Sequence, residues 1–80
     1  MADDEITEHV RALREGDDAS KAAARRVLGY LALQSGNAVL IVEAGGIPPL
    51  VDFLRDGSVE AKVQAAWALR NLAFHTPPRS

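Results

Sequence analysis

Residues 47–73 read IPPLVDFLRDGSVEAKVQAAWALRNLA, and residues 6–32 read ITEHVRALREGDDASKAAARRVLGYLA. Laid over each other at a spacing of 41, Ile6, Val10, Leu13, Arg14, Gly16, Lys21, Ala24, Leu28, Leu31 and Ala32 fall on Ile47, Val51, Leu54, Arg55, Gly57, Lys62, Ala65, Leu69, Leu72 and Ala73, and Glu15 falls on Asp56. A fixed-period self-match of this kind is the signature of a repeat architecture. The matched positions recur every three or four residues, the period of a helical face turned toward a core.

Helix punctuation divides the chain further. Gly16-Asp17 and Gly57-Ser58 each supply a turn glycine and a capping side chain, so a long helix is expected just after each. Asn37 is expected to cap a short helix that stops at Gly45-Gly46, where glycine accepts a left-handed backbone without a steric penalty. Pro48 and Pro49 suit the first turn of the next helix, whose N–H groups have no intrahelical partner. The pattern predicts five helices and no strands, over Asp4–Glu15, Ala19–Gln34, Ala38–Ala44, Pro48–Arg55 and Val59–His75. Asp3, Asp4 and Glu5 favour the positive end of the first helix. Thr76-Pro77-Pro78-Arg79-Ser80 is expected to be irregular.

The rest of the composition narrows the possible functions. Eighty residues make one small domain, and so short a chain buries only about 60% of its unfolded surface, which leaves no room for a deep catalytic cavity. With 48% hydrophobic and 25% charged residues the chain is globular in composition. No Cys is present, so there is no disulfide, no thiolate nucleophile and no Cys-based zinc site, and a reducing compartment fits. The acidic start lacks the basic region of a signal peptide, and the apolar run at residues 38–42 is far too short to span a membrane. A net charge of −2 with scattered Lys and Arg offers no basic stripe to nucleic acid. A soluble, cytoplasmic protein is expected, with the nucleus as a second location.

Residues 43–51, EAGGIPPLV, and residues 65–73, AAWALRNLA, resemble the armadillo repeat family. The resemblance covers one complete repeat from residue 37 to 76 and, at residues 4–36, the later part of a preceding one, with 77–80 as a tail. It implies an all-α, right-handed α-solenoid fragment of just under two repeats. Solenoids generally need at least about three repeats, because each unit buries its apolar face only against its neighbours. Self-association through uncapped repeat ends, giving a homo-oligomer, is therefore expected.

Advancing about 100° per residue around the last helix separates two faces. Ala61, Ala65, Ala68, Leu69, Leu72 and Ala73 form a small-residue core face. Glu60, Val63, Gln64, Trp67, Arg70, Asn71 and Phe74 gather opposite, and the equivalent face of the earlier long helix carries Ala19, Ala22, Ala23, Arg26, Gly29, Tyr30 and Leu33, its small residues leaving room for a ligand. In armadillo proteins this helix lines a concave groove, so the resemblance implies a peptide-binding site at Trp67, Asn71, Gln64, Arg70, Glu60, Phe74, Arg26 and Tyr30.

Importin-alpha-type repeats carry a Trp followed four residues later by an Asn, as Trp67 and Asn71 do. A carboxamide both donates and accepts, so Asn71 is suited to one peptide unit. Trp67 is suited to methylenes or a cation. Arg26 and Tyr30 break that ladder in the preceding repeat, and Arg26 and Arg70 favour acidic residues in the peptide over a lysine-rich one.

Plainer roles stand beside these: Trp67 as core, Asn71 as a surface amide or a bond to a neighbouring loop, Phe74 as a cover for the open end of the stack, and Arg26 and Tyr30 as ordinary surface. His9 and His75 lie on different helices with no ligand spacing. Ser20, Ser35 and Ser58 have no His to activate them. Residues 43–46 lack the spaced glycines and Lys of a phosphate loop. The chain is thus expected to be a non-enzymatic module without cofactor or metal, binding an extended peptide or partner protein. A purely structural repeat segment and an import-adaptor-like fragment are the alternatives.

Overall fold

Two polar side chains start the two long helices. Asp17 Oδ1 accepts from the Ser20 backbone N–H at 2.8 Å, and Ser58 Oγ accepts from the Ala61 N–H at 3.1 Å. Each satisfies one of the N–H groups that a helix start leaves without a partner. The structure, a computed structural model, describes the backbone of residues 2–76 and the side chains of residues 5–76. The expected tail at 77–80 and the side chains of Asp3 and Asp4 lie outside the described residues. Within them the chain is all helical: α1 (Ala2–Glu15), α2 (Asp18–Leu31), α3 (Ser35–Glu43), α4 (Ile47–Asp56) and α5 (Val59–His75).

The junction of α2 and α3 differs most from the sequence reading, the other helix ends differing by at most two residues. α2 stops at Leu31, and Gln34, not Asn37, stands at the N-cap of α3 with an extended backbone and no side-chain capping bond. The Leu33 and Gln34 N–H groups reach back three residues, to the carbonyls of Tyr30 and Leu31. These tightened bonds close the last turn early, and α3 then begins three residues ahead of its expected start. Asn37 sits inside it. At the other end of α3, Gly45 has φ +84°, and the Gly46 N–H donates to the Ile41 carbonyl at 3.0 Å. Only glycine takes that backbone without strain, and the chain bends by 82° into α4, whose first turn holds Pro48 and Pro49.

α1 packs on α2, α2 on α5 and α4 on α5, and α1 also crosses α3. The core joins Ile6, Val10, Leu13, Ala24 and Leu28 of the first unit to Ala38, Ile41, Leu50, Ala65, Ala68 and Leu72 of the second. No single helix is long and apolar enough to cross a membrane; the bent pair of α3 and α4 has that composition because Ala38, Ile41 and Leu50 are fully buried in this core.

Ser58→Ala is expected to cost about 1 kcal/mol in a denaturant titration, the usual worth of such a cap. Asp17 gives a pH signature. The Ser20 backbone N–H, and then its side chain, hold the Asp17 carboxyl below its ordinary 3.8. The folded state therefore binds this proton less readily than the unfolded one, and the cap's contribution, complete above 3.8, is lost as pH falls through the lower folded value. Asp17→Asn keeps an acceptor but removes the titration. Its acid melting profile should be flatter than that of the unsubstituted chain, and identical profiles would contradict the assignment.

Candidate functional site

α5 meets α2 through a glycine. A Cβ built on Gly29 would come within 2.4 Å of Trp67 Cζ3 and 2.5 Å of Cε3, so the indole lies directly on the α2 backbone at that point. Glycine inside a helix costs about 1 kcal/mol relative to alanine, and here it permits this approach. Two further bonds flank the contact. Asn71 Nδ2 donates to the Gly29 carbonyl at 3.0 Å, and Arg25 Nε donates to Gln64 Oε1 at 2.9 Å.

The candidate residues therefore divide. Gln64 and Asn71, expected to face a peptide, are turned toward α2; Asn71 is 3% exposed and its donor is committed within the chain. The wheel placed them opposite Leu69 correctly, but that direction holds a neighbouring helix. The room expected beside Gly29 is filled by Trp67. Trp67 itself lies between its two expected places, half-buried, with its ring edge-to-face on Tyr30 at 5.0 Å and 78°. Arg26, Tyr30, Glu60, Arg70 and Phe74 are exposed, Tyr30 by 61% and Phe74 by 82%.

Glu60, Trp67 and Phe74 follow each other at two-turn spacing on α5, and Arg26 and Tyr30 at one-turn spacing on α2. The Tyr30–Trp67 contact joins the two stripes into one surface. Arg70, one turn before Phe74 on α5, is exposed beside it, and at the spacing of 41 it is the counterpart of Gly29.

Arg25 was missed by the sequence reading. It is 7% exposed, its guanidinium carbon lies 4.5 Å from the Phe53 ring centroid, and it forms the wall of a 380 Å³ cleft with Lys21, Ser58 and Glu60. Burial lowers its pKa, while the carboxylates of Glu60 and Asp18 act in the opposite direction. A guanidinium so far above neutral pH remains charged. The available signal was Gly29, since a glycine in a helical pattern marks a close approach and Arg25 lies one turn away from it.

The model of the Armadillo/beta-catenin-like repeat family matches residues 34–74. The chain belongs to the armadillo repeat family. No curated protein and no solved structure matches it. Armadillo repeats generally mediate protein–protein interaction and are generally non-enzymatic, and the fold here is a solenoid fragment of this type. Among the described residues no group of His, Asp and Glu is arranged to hold a metal ion. This armadillo surface offers two aromatic rings, an indole edge and exposed cations.

Gly29→Ala tests the close approach. Overpacking of about 1–3 kcal/mol outweighs the helix-propensity gain of about 1 kcal/mol, so the variant should be less stable. In a Trp67→Leu background the penalty should shrink or reverse, and additive losses in this double-mutant cycle would refute the contact. Asn71→Ala leaves the buried Gly29 carbonyl without its donor and should cost about 1–3 kcal/mol.

Proposed function

We propose that this armadillo segment binds an extended segment of a partner protein across Arg26, Tyr30, Trp67 and Phe74, and that the bound segment carries an aromatic or large apolar residue next to an acidic one. The observation that supports this most is Tyr30. A tyrosine held edge-on by a neighbouring indole and still 61% exposed presents a rigid, partly apolar ring at little entropic cost. Phe74, one of the most exposed large hydrophobic residues, extends the apolar surface along α5. Arg26 stands one turn from Tyr30 and is exposed, and it attracts carboxylates and repels a lysine-rich ligand. Gln64 and Asn71 act behind this surface as positioning residues, since both hold α5 against α2.

An array of immobilised peptides, half pairing an aromatic residue with Asp or Glu and half pairing it with Lys, provides the test. Peptides of the acidic set should be retained. Tyr30→Ala and Phe74→Ala should each weaken retention at least about tenfold, a loss of about 1.4 kcal/mol typical of an aromatic anchor. Equal retention of both sets, or binding unaffected by Tyr30→Ala, rules out this surface. Failure of every peptide would favour a purely structural repeat.

A further inference from the structure

Arg25 is an anomaly among the buried groups. A buried cation is ordinarily paired with a carboxylate. Arg25 is 7% exposed, yet the one ion pair among the described residues joins Arg11 to Glu15, so no described carboxylate stands at ion-pair distance from its guanidinium. Nε donates to Gln64 Oε1 at 2.9 Å, while no hydrogen bond joins either Nη to a described residue. Thr76 Oγ1 is the one polar side-chain atom among the described residues that is sealed without a partner, so the Nη groups are not sealed. They open on the 380 Å³ cleft that Arg25 lines between α2 and the α4–α5 turn.

The charges of this cleft are layered. Arg25 is buried and Lys21 half-buried, whereas Asp18 and Glu60 are exposed at the rim, where water and salt screen them. The inner wall is therefore cationic. Ser58 lines the same cleft and is exposed. Its Oγ, which caps the Ala61 N–H, sits at the positive end of the 17-residue α5. At the spacing of 41 the counterpart of Ser58 is Asp17, so the same cap already carries a fixed negative charge in the first unit. Other hydroxyls lack this setting: Ser20 shares a cleft with Glu5 and Glu8, and Thr7 one with Glu43, and neither cleft is lined by a Lys or Arg.

Ser58 is also open to an enzyme. Gly57 and Ser58 both have extended backbone, with φ and ψ of −79° and 171°, and −64° and 170°. Arg55 stands three residues ahead and is exposed, and Val59, next in the chain, is 79% exposed. An extended segment with a cation ahead of the hydroxyl is complementary to the acidic substrate cleft of an arginine-directed protein kinase.

We propose that Ser58 is a phosphorylation site, and that its phosphate is held across the cleft by Arg25 and Lys21, fastening the α4–α5 turn to α2. The phosphoryl donor is ATP. Ser58 Oγ attacks the γ-phosphorus, the bond to the departing ADP breaks, and the hydroxyl proton passes through the kinase's base to solvent. The phosphate brings three acceptor oxygens, enough to keep the bond to the Ala61 N–H and to meet both cations. This inference is independent of the peptide surface proposed above.

The test treats the full chain with ATP and the catalytic subunit of the cAMP-dependent protein kinase. One phosphate should be incorporated, mapped to Ser58 by mass spectrometry, and Ser58→Ala should abolish it. The product should melt about 4–8 °C above the unmodified chain, the usual response of so small a domain to a new charge-assisted contact, and the gain should shrink with added salt. In phosphorus NMR the phosphate should titrate below its ordinary value of about 6, because Arg25, Lys21 and the start of α5 favour the doubly charged form more than Asp18, Asp56 and Glu60 oppose it. Lys21→Met should move that titration upward and remove part of the thermal gain. Arg25→Lys keeps the buried charge, and so the fold, but lacks the planar fork and should also reduce the gain. Incorporation elsewhere or not at all, a phosphorylated chain that melts no higher, or a phosphate indifferent to both Lys21→Met and Arg25→Lys would each overturn the assignment.

Discussion

The close approach of α5 to α2 at Gly29 governs the arrangement of everything around it. A glycine in the middle of a helix is a local cost, and the indole of Trp67 occupies the volume it leaves. Once the ring lies on the α2 backbone, Asn71 is in reach of the Gly29 carbonyl and Gln64 is in reach of Arg25. The same indole holds Tyr30 edge-on at 5.0 Å while leaving it exposed. Trp67 and Asn71 thus act first as fasteners between repeats. The peptide surface proposed here is accordingly narrower than the full helix face that the resemblance implied, and lies toward Tyr30 and Phe74.

Polar groups do more at the repeat boundary than in the core. Within the core the matched residues are Ile, Val, Leu and Ala, which pack without direction. Across the boundary the contacts are specific: Arg14 to the Gly45 carbonyl, Arg25 to Gln64, Asn71 to Gly29. A buried carbonyl or guanidinium without a partner is costly, so the bonds of Arg25 and Asn71 penalise a slipped register, while the exposed Arg14 bond contributes less. Non-directional burial thus drives the helices together, and hydrogen bonds at the seam select one alignment.

The seam inside the chain joins the guanidinium groups of Arg14 and Arg25 and the carboxamide of Asn71 to acceptors in the other unit, whereas the counterparts of Arg14, Arg25 and Gly29 are Arg55, Ala66 and Arg70, all exposed. Several of the positions that change between the repeats, among them Asp18, Arg25 and Gly29 against Val59, Ala66 and Arg70, lie where one unit meets the next, so one scaffold presents different side chains there.

The sequence by itself determined the helices and the family. Gly16-Asp17, Gly57-Ser58 and Gly45-Gly46 set helix ends through caps and a left-handed backbone, effects that reach only a few residues, and the 41-residue self-match exposed the repeat because a shared core face needs the same residues twice. Asn37 shows where such local reading fails, since the bonds that end α2 early belong to its last turn and leave Gln34 to begin α3. The burial of Ile6 against the exposure of Ile47, the burial of Arg25, and the turning of Asn71 and Gln64 away from solvent were decided only by tertiary structure. A helical wheel orders directions around one axis, and which of those directions holds a second helix depends on packing between units far apart in the chain.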